Sequence, residues 1–436
     1  MNQLAKGSKK LLNAWAFYDW ANSVYSLTIA SAIFPLYYGA LFRASGVEKI
    51  EVFGVMIARA PLIVYVTAAA FLIVSLISPI LSGIADYVGN KKVFLKFFCY
   101  LGSLSCIGLY WFSLENIYWG LLAYLLGLIG FWGSIVFYNS YLPDIARPEQ
   151  QDSISAKGYS LGYLGSVLLL LLNLLMIMKF EWFGFTSEAL PTRLSFVMVG
   201  IWWAGFAQYS FYHLPAGNDN SGKVHRRLLL NGYRELRSVW INLGNDKRLK
   251  RYLGAFFVYS MAVQTVMLVA SYFAEEELEW SSADERTVGL IVSVLLIQLV
   301  AILGAWLTSR ASFKYGNIPA LIVINIIWVG ICVYAYTVKK PVQFYFAASV
   351  VGLVMGGIQA LSRSTYSKFL PKTQDTTSYF SFYDVAEKVG LFIGLTLYAL
   401  IAQYSESVRN SVIFLGVLFV IGVFLLLRVP LKNDGD

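Results

Sequence analysis

The apolar residues of this chain do not keep the three-and-four spacing of a helix with one wet face. They run on unbroken, as in "LGSVLLLLLNLLMIM" (164–178), with no polar side to turn toward water. A helix that is apolar all round is buried in protein or in lipid, and about 20 such residues cross the roughly 30 Å of a bilayer's hydrocarbon. Twelve stretches of this kind are expected, near 14–41, 61–85, 93–113, 117–139, 156–178, 194–214, 251–273, 287–308, 318–338, 343–363, 380–404 and 410–429. An even number returns both termini to one side. The two-residue alternation of a transmembrane barrel is missing, and such runs satisfy their backbone hydrogen bonds in lipid only as helix. The first stretch is too long for a signal peptide and lacks a small-residue cleavage site.

Composition agrees with the pattern: of 436 residues, 58% are hydrophobic and only 14% charged, whereas soluble domains carry about a quarter. Of the 34 Lys and Arg, 24 fall in connections on the side of the termini and 9 on the opposite side, while Lys388 lies within a span. By the positive-inside rule the termini and the basic connection at 215–250 face the cytoplasm. The formal charge of +9 is then a topology signal and an affinity for anionic lipid rather than a nucleic-acid footprint. Cys99, Cys106 and Cys332 fall in apolar spans without paired spacing, and His213 and His225 are the only histidines, so zinc chemistry has almost no material. No glycine loop with Lys and Ser/Thr is present to bind nucleotide, and no nucleophile–base set stands out. Neither a cofactor nor an enzyme activity is expected.

Six spans, a basic connection and six more spans suggest a duplicated chain, and duplicated halves should leave matching motifs. The fourth span ends "YNSYLPDIA" (138–146) and the tenth "YSKFLPKTQ" (366–374). Proline cannot continue the helix ladder without losing a bond, so Pro143 and Pro371 are expected to end or bend equivalent helices. Between the second and third spans lies "SGIADYVGNKK" (82–92). Its acid at a helix end, glycine turn and basic pair let Asp86 accept bonds from a neighbouring helix N-terminus while Lys91 and Lys92 stay wet.

That loop resembles the signature of the major facilitator superfamily, in which glycines, an aspartate and basic residues lock the inner ends of helices in one state. Ser82 stands at the first glycine position with Gly83 beside it, and Asn90 replaces the first basic residue. The second-half counterpart, "GAWLTSRASFKYG" (304–316), lacks the acid. "FYDWANS" (17–23), "FYNSYLPDIA" (137–146) and "GGIQALSRS" (356–364) are similar to the vacuole-effluxer branch, which includes bacterial permeases and a fungal autophagy-related protein. The resemblance implies a transporter, in the fungal case one that exports amino acids from the vacuole.

Polar residues inside the spans are the candidates for chemistry. Of 25 acids, only Asp19, Asp384 and Glu387 fall within spans, and a carboxylate at helix centre costs roughly 2.5–3.5 kcal/mol unless it meets water, a partner or a substrate. Asp19 is either an inner-end residue that caps a helix or pairs with a base such as Arg363, or a proton or cation site in a central cavity. Tyr18 and Asn22 share its neighbourhood on the helix. Asn139, at the end of the fourth span, faces the cavity if the fold is as the resemblance implies. Gln264 and Gln359 can donate and accept, as a polar solute requires, or join helices to one another. Asp384 and Lys388 stand four apart with the acid first, the better order for an intrahelical pair; they mark either a wet cytoplasmic helix end or, if Lys388 points into the cavity, a cation for holding a carboxylate or phosphate. Ser82, Gly83, Asp86, Gly89, Lys91, Lys92, Arg363 and Asp384 form the expected gate or lock. The acidic stretch "AEEELEWSSADER" (274–286) is expected to be a solvated connection, and "HRRLLLNGYRELR" (225–237) an amphipathic helix on the membrane surface.

The expectation is an all-α membrane protein with twelve transmembrane helices in two six-helix bundles, residues 1–214 and 251–436, joined by a linker at 215–250, with both termini cytoplasmic. It moves a small polar solute by alternating access, coupled to protons, as a monomer among membrane lipids and without nucleic acid. The competing readings are a lipid or glycolipid flippase of the same fold and a non-transporting sensor or scaffold.

Overall fold

Backbone groups in hydrocarbon have no water to bond, and the chain meets that constraint with helix almost throughout. The computed structural model describes residues 4–47, 49–217, 228–405 and 408–430. α1 (Lys9–Val24) continues through a wider π-helical stretch, Tyr25–Ala32, into α2 (Ile33–Ser45), so the first span is one rod of 37 residues. A hairpin follows that the apolar pattern did not announce: β1 (Lys49–Val52) pairs antiparallel with β2 (Val55–Ala58), Val52 opposite Val55. Its two turn residues, Phe53 and Gly54, both have positive φ, the geometry that suits a tight turn to the twist of its strands. The remaining helices are α3 (Arg59–Val88), α4 (Lys91–Gly108), α5 (Ile117–Ser140), the short α6 (Leu142–Ile145), α7 (Pro148–Met178), α8 (Ala189–His213), α9 (Leu228–Asn245), α10 (Lys247–Glu277), α11 (Ala283–Tyr315), α12 (Asn317–Thr337), α13 (Pro341–Phe369), α14 (Thr376–Ser405) and α15 (Val408–Leu427).

Among the described residues, eleven helices are long and apolar enough to cross a membrane. The other expected span is α14, whose 30 residues reach about 45 Å at 1.5 Å each; its first half carries Asp384, Glu387 and Lys388. The repeated proline motif falls where helices end. α5 stops at Ser140 before Pro143, and α13 stops at Phe369 before Pro371.

The chain forms two compact units, Met1–Asn139 with Leu161–Gly232, and Ser140–Ser160 with Tyr233–Asp436. Within the first, α8 packs on α1 and α4; within the second, α15 packs on α10 and α12. The sixth span thus holds the first and third as the twelfth holds the seventh and ninth, the pattern a duplication predicts. Helices in lipid gain nothing by hiding apolar surface from one another, so close packing at small residues decides their contacts. A Cβ on Gly130 of α5 would lie 2.4 Å from the Gly102 nitrogen of α4. Gly130→Val should therefore lower stability by about 1–3 kcal/mol, read as a drop in thermal midpoint in detergent. Gly205→Val, with open space around the added carbon, should leave the midpoint unchanged.

Candidate functional site

Helix α1 buries both flanks of the "FYDWANS" stretch: Trp15, Tyr18, Asp19, Ala21 and Asn22 are all buried. Asp19 is 4% exposed, enclosed by protein. Its Oδ2 accepts the Tyr138 hydroxyl at 2.8 Å. Tyr138 is itself fixed, since its carbonyl accepts Trp15 Nε1 at 2.9 Å and its ring stacks on Trp15 with centroids 4.6 Å apart. The Tyr18 ring lies 5.0 Å from the same tyrosine. The first tyrosine of the repeated motif is thus a partner of the buried acid, and Asn139, also buried, follows it. Asn22 is fully buried and accepts the Ser23 hydroxyl at 3.3 Å. Helix α7 comes close here because Gly162 has no side chain; a Cβ would sit 2.4 Å from Ser23 Oγ and 3.2 Å from the Asp19 carbonyl.

In the second unit α14 presents a charged cluster to α10. The Lys388 ammonium donates to Asp384 Oδ1 one turn away, as the four-residue spacing predicted, and both residues are buried. Asp384 Oδ2 has no hydrogen-bond partner among the described residues. Glu387, beside them on α14, accepts the side-chain amide of Gln264 from α10. Buried tyrosines close the surroundings. Tyr259 shares its hydroxyl with Ser362 Oγ at 2.8 Å, Tyr252 donates to the Ser362 carbonyl at 2.9 Å, and Tyr383 stacks on Phe256 at 4.0 Å. A glycine again permits the approach: a Cβ on Gly394 would meet Thr265 Oγ1 at 2.3 Å. Gln359, on α13, donates to Met267 Sδ at 3.5 Å, a weak bond.

Arg363, 2% exposed on α13, meets the opening of α7: Nε donates to Ser155 Oγ at 2.9 Å, Nη2 to the Ser155 carbonyl at 3.0 Å, and the guanidinium lies 4.2 Å from the Tyr159 ring. A second set of bonds lies at Asp152 on the same helix. Asp152 Oδ2 accepts Lys368 Nζ at 2.6 Å and Ser312 Oγ at 2.9 Å, while Oδ1 accepts Asn317 Nδ2 at 2.9 Å. Sequence reasoning missed Asp152, Lys368, Asn317 and Ser312, which come from four helices. An acid near the start of one helix and a lysine in the last turn of another are ordinary features until the fold joins them. It also left Glu387 out of the candidate set, although an acid adjacent to a within-span lysine was the available signal.

At the α3–α4 turn, Gly89 takes φ 74° and its N–H bonds the Ala85 carbonyl at 2.9 Å, a left-handed cap that only glycine adopts without strain. Ser82 and Gly83 are buried and Asp86 is half-buried on the last turns of α3. Lys91 and Lys92 do not stay fully wet. Both are half-buried, and Lys92 Nζ donates to the Leu214 carbonyl at 2.7 Å, because the chain leaving α8 passes over this turn. The acidic stretch at 274–286 is a shorter connection than expected, with Glu275, Glu279 and Glu285 exposed. α10 continues to Glu277 and α11 begins at Ala283, and Arg409 Nε holds Glu277 at 2.6 Å. The expected helix at 225–237 is described from Leu228 onward as α9; His225 lies outside the described residues.

The vacuole effluxer Atg22-like family model matches residues 7–435. The MFS-type transporter YxiO of Bacillus subtilis is 29% identical over 439 residues, covering 99% of this chain and 98% of the relative. Autophagy-related protein 22 of Vanderwaltozyma polyspora is 24% identical, covering 97% and 91%. Among solved structures, the E. coli fucose:proton symporter FucP superposes with a TM-score of 0.69 at 14% identity over 97% of this chain and 98% of its own. The proton:xylose symporter XylE gives 0.68 at 13% identity over 97% and 95%. These likenesses establish the major facilitator fold, an integral multi-pass membrane protein and secondary transport as its activity. The chain belongs to the vacuole-effluxer, Atg22-like family of the major facilitator superfamily, as a bacterial-type member.

Proposed function

We propose that this transporter moves a small polar solute by alternating access, with amino acids the first class to test, and that protons drive it. The observation that carries the reading is the burial of Asp19, Asp384 and Lys388 inside helices that cross the membrane. Each such charge is costly to insert, and such groups in transporters mark substrate or ion paths. Asp19 is the proton-bearing carboxylate, poised by the Tyr138 hydroxyl, with Tyr18, Asn22 and Asn139 beside it. Lys388 offers the cation for a solute carboxylate, and Gln264 and Gln359 offer amides for its polar groups. Two solved structures of the same fold are the fucose:proton and proton:xylose symporters, which supports the coupling.

The α7 helix begins in the second unit and continues in the first from Leu161. In this reading the Asp152–Lys368 and Arg363–Ser155 bonds serve as a lock within the second unit, and the α3–α4 turn as one within the first.

The test is a thermal-shift screen of the purified protein against amino acids, sugars, polyols and organic acids at two pH values. A ligand that binds only the folded state at a hundred times its Kd stabilises it by about 2.7 kcal/mol. A stabilising solute that also exchanges by counterflow in proteoliposomes supports the proposal. No stabilising solute, together with scrambling of labelled lipid that excess solute does not inhibit, would replace it with a flippase.

A further inference from the structure

Helix α9 is joined to the membrane-crossing α10 by one residue, Asp246, whose Oδ1 accepts the Leu249 N–H at 2.8 Å and caps α10. One residue spans about 3.8 Å, so the end of α9 is held at the boundary where α10 enters the bilayer. Its described side chains divide into two faces. Val239 and Leu243, four apart, are buried at 1% and 5%. Arg234, Arg237 and Ile241 follow one another by three and four positions, the spacing of a single helix face, and all are exposed. Trp240 flanks that face and is 65% exposed. Lys247 and Lys250 extend the exposed basic surface onto the first turn of α10.

Arginines interleaved with a tryptophan and an isoleucine suit the bilayer interface, where the rings and aliphatic chains sit at head-group level and the guanidiniums meet phosphate. We propose that the Arg234–Arg237–Trp240–Ile241 face of α9 is a binding surface for anionic phospholipid head groups of the membrane the protein occupies. Trp240 also reaches Phe382 on the second turn of α14, with ring centroids 5.6 Å apart. The lipid surface is thereby tied to the helix that carries Asp384, Glu387 and Lys388. The occupant is lipid rather than a protein partner because the helix end is fixed at the membrane boundary and its charge complements the anionic leaflet.

The three native cysteines are buried, so Ile241→Cys takes a bimane label selectively, with unlabelled background read from the wild-type chain. The labelled protein is reconstituted in phosphatidylcholine vesicles, with or without phosphatidylglycerol as about a third of the lipid, and quenched by shallow doxyl lipid or by aqueous iodide. Doxyl quenching should rise and iodide quenching fall when phosphatidylglycerol is present. Arg234→Gln/Arg237→Gln should abolish that dependence, since two basic residues near an anionic surface are worth about 30-fold in partitioning. High salt should weaken it, as screening requires. Doxyl quenching equal in both lipids and indifferent to the arginines would overturn the proposal, leaving only an apolar anchor. Iodide quenching without doxyl quenching in either lipid would overturn it entirely and leave the face to a protein partner. Neither result depends on the solute carried, so the test stands apart from the transport proposal.

Discussion

Lys388→Met should destabilise the protein by about 3–5 kcal/mol, because it leaves Asp384 buried beside Glu387 with its ammonium partner gone. Asp384 Oδ1 is held by Lys388, and Oδ2 has no other hydrogen bond among the described residues to share the loss. Two carboxylates on one turn of a membrane-crossing helix would then face each other without a cation. The double variant Asp384→Leu/Lys388→Met should recover most of the loss, since replacing a whole buried pair by apolar side chains of similar volume is close to neutral. Unfolding in detergent for the four members of this cycle measures the coupling. A neutral Lys388→Met would mean that water reaches the pair, against the burial described above. The double variant also separates stability from function: it should fold and yet bind no anionic solute.

Asp19→Asn should have the opposite profile, with small structural cost and large functional loss. Asparagine keeps an oxygen where Tyr138 donates at 2.8 Å, so the change trades a hydrogen bond to a charged group for a neutral one, a cost of about 1 kcal/mol. What it removes is the group proposed to take up and release a proton. A pH difference of one unit is worth about 1.4 kcal/mol per proton, enough for roughly tenfold accumulation of solute at one-to-one coupling. The variant should still exchange solute across the membrane while accumulating none.

The fold was legible because all-round apolarity leaves one solution in lipid. The α3–α4 turn was legible because Gly89 readily adopts the left-handed cap that ends α3. The Asp384–Lys388 pair was visible for the same local reason: its partners are one turn apart on a single helix. Where partners are distant in sequence, the pattern measures a cost without naming who relieves it. Asp19 was recognisable as an expensive charge, but its bond to Tyr138 crosses 119 positions and depends on how α1 and α5 pack. Asp152 and Lys368 are separated by 216 positions and are unremarkable alone, so neither drew notice. The β1–β2 hairpin was hidden for another reason: "KIEVFGVMIA" (49–58) alternates weakly and was absorbed into a connection between two much stronger apolar signals.

The most direct test is the steady accumulation of a stabilising solute in proteoliposomes under an imposed pH gradient, for the wild-type chain and Asp19→Asn side by side. Accumulation by the wild type that collapses with a protonophore, against simple equilibration by the variant with counterflow intact, is the predicted result. Equal accumulation by both proteins, or none by the wild type at any gradient, would contradict the account.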